Sequence, residues 1–248
     1  MSKSSRRNFI KTAGAGLAAG SILHAVPATS EAKGKIPFEL GVASYTFRKF
    51  DMEETVAMVK KMGIKNVAFK SFHLALDAND AKIRWTKTYV ADEGVNLYGG
   101  GVIYMKSEEQ VNQAFEYAKK AGMKMIIGVP NHDLLPLVDK KVKEYDISVA
   151  IHNHGPGDKV YPSPKSIYDR IKNLDKRIGI CMDIGHTKRI GIDPSDDAKK
   201  YKDRLLDVHI KDVTMSTPDG KTCEVGRGVI DIPKFLKTLK KIKYSGIV

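Results

Sequence analysis

Cysteine is scarce in this chain: Cys181 and Cys223 are the only two in 248 residues. The first falls inside an apolar, strand-like run and the second in a Gly-rich loop, so the pair supports neither a disulfide framework nor a thiolate metal site. No apolar run is long enough for a membrane-spanning helix, which needs ~20 residues; the most apolar early stretch, 12–26, is short and rich in Gly and Ala. No GxGxxG turn is present, which removes the main sequence argument for a dinucleotide-binding, doubly wound sheet. Acidic charge is also in deficit, with 29 Asp and Glu against 42 Lys and Arg and a formal charge of +13. Such a balance can mark a nucleic-acid binder. Here the lysines come as doublets spread along helix-like segments (Lys60-Lys61, Lys119-Lys120, Lys140-Lys141, Lys199-Lys200, Lys240-Lys241). Placed near helix ends they favour the helix dipole and solvate a surface, so no nucleic-acid partner is expected.

The N-terminus reads Ser5-Arg6-Arg7-Asn8-Phe9-Ile10-Lys11, followed by the Gly/Ala-rich stretch and then by Pro27-Ala28-Thr29-Ser30. This resembles a twin-arginine export signal. Residues 1–32 are accordingly assigned to signal peptide and linker. The resemblance implies a periplasmic protein, exported folded and with any cofactor already loaded, and without a stable membrane span.

From residue 36 onward, short apolar runs alternate with segments of period 3.6. Strands are expected at 38–44, 66–70, 95–99, 123–128, 147–152, 178–183 and 206–210. Helices are expected at 52–62, 80–93, 107–120, 133–145, 163–173, 194–204 and 232–242. Gly63, Gly94 and Gly122 each separate a helix from the next strand, where glycine supplies a left-handed cap. Unbroken β/α alternation in a chain of this length predicts an α/β fold, a (β/α)8 TIM barrel over 36–248 with no second domain. Only the first residues of an eighth strand, from Gly246, precede Val248. The expectation is therefore a barrel C-terminally truncated in its eighth strand, with open edges on the first and seventh.

The histidines carry the chemistry. His73, His132, His152, His154, His186 and His209 each lie at or just past the end of a strand-like run. In a parallel barrel those ends converge on one rim, where active sites form. Three segments stand out: IHNHG, CMDIGH and VHIKD. One donor from each, His152, Asp183 and His209, offers the nitrogen and oxygen ligands that a borderline divalent metal prefers. A plainer alternative has Asp183 capping a helix and the imidazoles satisfying backbone groups. Tyr45, Phe47 and Tyr104, also near strand ends, fit core packing or stacking on a sugar ring, and Trp85 fits the barrel exterior or a subunit contact.

With GVASYTF and GRGVID added, these segments resemble the xylose-isomerase-like barrels described as sugar phosphate isomerases/epimerases. The resemblance spans roughly 36–248. It implies one divalent metal (Mn, Zn, Co or Mg) held by His152, Asp183 and His209. It also implies catalytic roles for His154, His186 and Lys211, and substrate contacts from Lys70, His73, Asn153 and Arg227, with Asn153 and Asp212 able to orient the reacting groups. The implied reaction removes a proton α to a carbonyl of a sugar or keto-sugar and passes through an enediolate, giving an isomerase or epimerase. A 3-keto-glycoside or inosose-type lyase/hydratase and a non-catalytic sugar-binding barrel are the alternatives, and a homodimer is compatible with all three. A DNA-repair endonuclease on the same barrel is disfavoured, because it needs more His and Glu ligands than these strand ends supply. Two departures stand out: His152 replaces the fifth-strand glutamate usual in epimerases, and the usual eighth-strand glutamate lies past Val248. Glu224 is the nearest carboxylate able to replace the latter.

Overall fold

The computed structural model describes residues 36–248. The twin-arginine segment and its linker, 1–32, lie outside the described residues. Seven strands lie side by side in chain order, each parallel to the next. They are β1 (Gly41–Ala43), β2 (Asn66–Phe69), β3 (Asn96–Met105), β4 (Met125–Pro130), β5 (Ser148–His152), β6 (Ile178–Asp183) and β7 (Leu205–His209). The outer layer is formed by α1 (Met52–Lys61), α2 (Asp80–Asp92), α3 (Glu108–Ala121), α4 (Leu135–Tyr145), α5 (Pro164–Ile171), α6 (Ile184–Arg189), α7 (Pro194–Lys200) and α8 (Ile232–Lys241). A short antiparallel pair, β8 (Asp212–Val213) and β9 (Thr222–Cys223), stands in the loop after β7.

The ring is bridged between its first and last strands. Ile247 makes parallel bridges to both Glu39 and Asp207. The Glu39 N–H donates to the Gly246 carbonyl at 3.1 Å, the Gly41 N–H to Val248 at 3.0 Å, and the Val208 N–H to Ile247 at 3.2 Å. Residues 246–248 thus bridge the first and last strands at one level and leave the barrel nearly closed, with its eighth strand truncated as expected.

Local chemistry explains the elements. On α3 the buried Val111, Ala114, Phe115, Ala118 and Ala121 recur every three to four residues and face the sheet. Asp51 and Glu54 form a reciprocal capping box at the start of α1, and Ser107 caps α3 through the Gln110 N–H. Gly63, Gly94 and Gly122 have φ of 71°, 73° and 73°, the left-handed geometry expected of them. The segment expected to be helical from 133 begins at Leu135, because His132–Leu134 form a 3-10 turn and Pro136 opens the helix proper. β3 runs longer than its apolar pattern suggests. At Gly101 (φ 154°) a Cβ would overlap the Ile127 carbonyl oxygen, so glycine lets β3 and β4 lie together.

Two interiors result. The larger one lies between strands and helices and holds most of the apolar side chains. The smaller is the barrel lumen, where Ala68, Tyr98, Ile127, Ala150 and Cys181 pack together with Leu206 and Ile247 at their edge. Outside, Trp85 stacks on Tyr89 of the same helix, α2, at 5.4 Å, so it belongs to the exterior. No helix among the described residues is long and apolar enough to cross a membrane.

One buried cation ties the frame below the site. Arg204, 1% exposed, donates to the carbonyl oxygens of Lys172 (2.8 Å), Leu174 (2.7 Å), Asp175 (2.7 Å) and Ile178 (2.9 Å). This holds the turn between α5 and β6 against the start of β7. Arg204→Ala leaves several buried acceptors unpaired, each costing ~1–3 kcal/mol. A loss of about 3 kcal/mol or more in urea unfolding is expected, with partial recovery in Arg204→Lys; an unchanged midpoint would show that water replaces the guanidinium.

Candidate functional site

The strand register assembles the site. His152 lies opposite Cys181, Cys181 opposite Asp207, and Asp183 opposite His209. Side chains two residues apart on a strand share a face, so Cys181 with Asp183 and Asp207 with His209 form two levels of the lumen. Asp183 is at the centre of the upper level and only 1% exposed. Its Oδ1 accepts the His186 N–H at 2.8 Å, which caps α6. Its Oδ2 lies 2.7 Å from Lys211 Nζ, 3.6 Å from His152 Nε2 and 3.8 Å from His186 Nε2. Capping and site chemistry, alternatives on sequence grounds, are both served by one carboxylate with two oxygens.

Around it, Lys211 Nζ is 3.1 Å from His186 Nε2. The His152 ring centroid stands 4.7 Å from that of His154 and 4.9 Å from that of His209. His154 stacks on Tyr104 and meets its hydroxyl at 3.1 Å through Nε2, while its Nδ1 lies 3.8 Å from Asp158. One level down, Asp207 Oδ2 lies 3.5 Å from His209 Nε2 and accepts from Cys181 Sγ at 3.3 Å, and its Oδ1 accepts the Tyr98 hydroxyl at 3.4 Å.

Burial governs the charge states. Desolvation lowers the His152 pKa to about 3 and that of His186 to about 4, against partial compensation from Asp183. His154 and Lys70 are lowered for the same leading reason. Burial would raise Asp183, but the His152 contact and the Lys211 ammonium outweigh it and hold the carboxyl far below the usual range. Asp207, without such a cation, is raised by burial, and burial pushes the Cys181 thiol well up. Near neutrality the imidazoles of His152, His154 and His186 are therefore uncharged, with a lone pair available.

The residues fit a metal. Nδ1 of His152, His154 and His186 and Nε2 of His209 are buried without a hydrogen-bond partner, an arrangement folded proteins rarely tolerate unless something else satisfies it. His152, Cys181 and His209 also form a group whose potential ligand atoms all lie within 4.8 Å of one another. His152 and Asp183 adjoin as expected, whereas His209 turns Nε2 toward Asp207.

Several residues assigned to the site from the sequence make other contacts in the structure. His73 is buried against Phe50 and Thr55, with Nε2 3.0 Å from the Phe50 carbonyl and 3.1 Å from Thr55 Oγ1, so it anchors the loop after β1 and does not line the cavity described below. Asn153 is fully buried; its Oδ1 accepts the Asp183 N–H at 3.0 Å and its Nδ2 donates to Thr187 Oγ1 at 3.2 Å, so it sets the Asp183 backbone. Arg227 and Glu224 are exposed and join each other only in a backbone turn; their loop sends Val225, not a charged group, to the cavity. Asp212 does not orient a base. Its carboxylate accepts the N–H groups of Val213, Gly226, Gly228 and Ile230 and pins that loop down. His132 donates toward the Val160 carbonyl, away from the site.

Lys70 lines a cavity of about 670 Å³ with Tyr45, Tyr98, His152, His154 and His209. Asp207 and Cys181 were missed as site residues. Alternation could have flagged both: LLDVH places Asp207 on the face of His209, and CMD places Cys181 on that of Asp183.

A nearly closed parallel barrel with a polar rim of potential metal donors at its strand ends defines the class of α/β-barrel enzymes and binding proteins. The chain belongs to the xylose isomerase-like TIM barrel family, whose model matches residues 37–248. Solved structures agree in fold. A D-tagatose 3-epimerase-like protein is similar at 18% identity and TM-score 0.70, over 85% of this chain and 89% of that one. An L-ribulose 3-epimerase gives 15% identity and TM-score 0.68, over 85% and 80%. The IolI protein with a bound zinc atom gives 16% identity and TM-score 0.71, over 85% and 87%. No protein of curated function matches the sequence significantly.

Two expectations follow from this geometry. His152 and His186 titrate in the fold below the ~6.5 of an unfolded imidazole, so the unfolded chain binds more protons between pH ~6.5 and ~4 and stability falls as pH drops through that window. Each contributes a slope of about 1.4 kcal/mol per pH unit there. Urea midpoints of metal-free protein should decline from pH 7 to 5, less steeply in His152→Gln; a flat profile contradicts the burial reading. Asp212→Ala frees four backbone donors. Limited proteolysis should then cut within 214–229 at least tenfold faster while the barrel stays folded, and cleavage at wild-type rate would show that the carboxylate does not hold the loop.

Proposed function

We propose that this protein is a divalent-metal-dependent isomerase or epimerase acting on a sugar or keto-sugar. The observation that carries the reading is Asp183, a buried carboxylate at the strand ends bracketed by His152, His186 and Lys211. The ion would be held by His152, Asp183 and His209. When bound, it would polarise a substrate carbonyl and make the adjacent C–H more acidic.

The chain's own residues account for the rest. The Lys211 ammonium beside His186 favours a neutral imidazole, which can accept a proton at Nε2. His154, paired with the Tyr104 hydroxyl, borders the same cavity from β5 and can hold or return a proton. Proton removal by one group and return by another inverts a stereocentre, whereas transfer between neighbouring carbons by one group isomerises. Lys70 and Tyr45 line the entrance, suited to a polar ring presented edge-on to a cation and face-on to an aromatic. The Tyr104–His154 pair also supports the lyase or hydratase reading, since a leaving oxygen could take its proton there. If the twin-arginine-like start directs export, free or oxidised sugars fit better than sugar phosphates.

The test is solvent exchange. Incubation of the metal-loaded protein with keto-sugars in D2O should place deuterium at the carbon α to the carbonyl. Chelation should abolish the incorporation, and His186→Gln should slow it by ~10²–10⁴. Release of an aglycone from a 3-keto-glycoside without net α-deuteration would favour the lyase. Ligand binding unaffected by chelator, with no exchange, would leave only a sugar-binding barrel.

A further inference from the structure

Cys181 faces the lumen beneath the rim on β6 and is fully buried. Its Sγ, one ring nitrogen of His152 and one of His209 all lie within 4.8 Å of each other. We propose that Cys181, in the place given above to Asp183, is the metal ligand that shares one divalent ion with His152 and His209, and that its sulfur selects zinc or cobalt(II) over magnesium and manganese. The proposal rests on the reading that this barrel holds a metal, but not on the sugar chemistry assigned to it.

Three further observations point the same way. His152 is 4% exposed, yet its Nδ1 has no partner, and His209 Nε2 is buried and unpartnered too. Asp183 already has both oxygens engaged, Oδ1 by the His186 N–H at 2.8 Å and Oδ2 by Lys211 at 2.7 Å. Each imidazole thus has a nitrogen free, whereas each Asp183 oxygen already has a partner. Asp207 contacts Cys181 Sγ (3.3 Å) from the level below, so it can aim that sulfur.

The chemistry of the donor set decides the ion. Two imidazoles and a thiolate suit zinc and cobalt(II), with bonds of ~2.0–2.3 Å, whereas magnesium and manganese favour oxygen. Coordination forms the metal–sulfur bond and releases the thiol proton to solvent, so no redox partner is needed.

Cobalt(II) titration of the full chain, stripped of metal, tests this. A thiolate-to-cobalt charge-transfer band in the near ultraviolet is expected. It should persist in Cys223→Ser and vanish in Cys181→Ser, with zinc affinity in the latter falling at least tenfold by chelator competition. Magnesium and manganese should not displace the cobalt. Because Cys181 is buried, a variant that fails to fold is replaced by zinc-edge X-ray absorption of the wild type, where sulfur in the first shell is expected. Cobalt or zinc bound without sulfur overturns the proposal while leaving a metal-dependent enzyme intact. Failure of both ions to bind overturns both.

Discussion

A carboxylate taken out of water is costly unless it is neutralised and hydrogen-bonded, and Asp183 is the carboxylate around which this barrel is organised. Lys211 supplies the charge, the His186 N–H supplies a cap bond, and the imidazole edges of His152 and His186 complete its surroundings. Asn153 grips the Asp183 peptide from the neighbouring strand, accepting its N–H. Removing the lysine would strand a buried charge, and removing the asparagine would loosen the backbone that aims it. The group that suits catalysis or metal binding is thus also the group that the local fold is built to stabilise.

The barrel makes this affordable by sorting its lumen into levels. Small residues, Ala68 and Ala150, leave room for Tyr98 and for the Asp207–Cys181 contact, while large apolar side chains are sent outward between strands and helices. The polar level below the rim is unusual for a barrel interior, which is ordinarily filled by branched apolar side chains. It places a carboxylate beside His209 and a thiol beside His152, a set of potential donors softer than oxygen alone.

Much of the fold was legible because periodicity survives any tertiary context. Apolar runs gave strands, the 3.6 repeat gave helices, and Gly63, Gly94 and Gly122 marked the turns, since a left-handed residue before a strand needs glycine nearly everywhere. What escaped was set by partners far away in sequence. The length of β3 depends on Gly101 lying against Ile127. The β8–β9 pair depends on Asp212 collecting N–H groups from residues up to 18 positions later. His73, Asn153 and Arg227 occupy plausible positions for contacting substrate, but their side chains satisfy a carbonyl, a neighbouring strand and solvent respectively.

By itself, the sequence determined that residues 36–248 form a parallel barrel, and that His152, Asp183 and His209 come from successive strands. Strand spacing and side-chain alternation are local rules, and local rules suffice for that. Only the tertiary structure decided which way each donor turns. Asp183 is claimed by Lys211, His209 faces Asp207, and Cys181 stands within reach of both histidines, because those choices depend on burial and on which buried charge needs a partner.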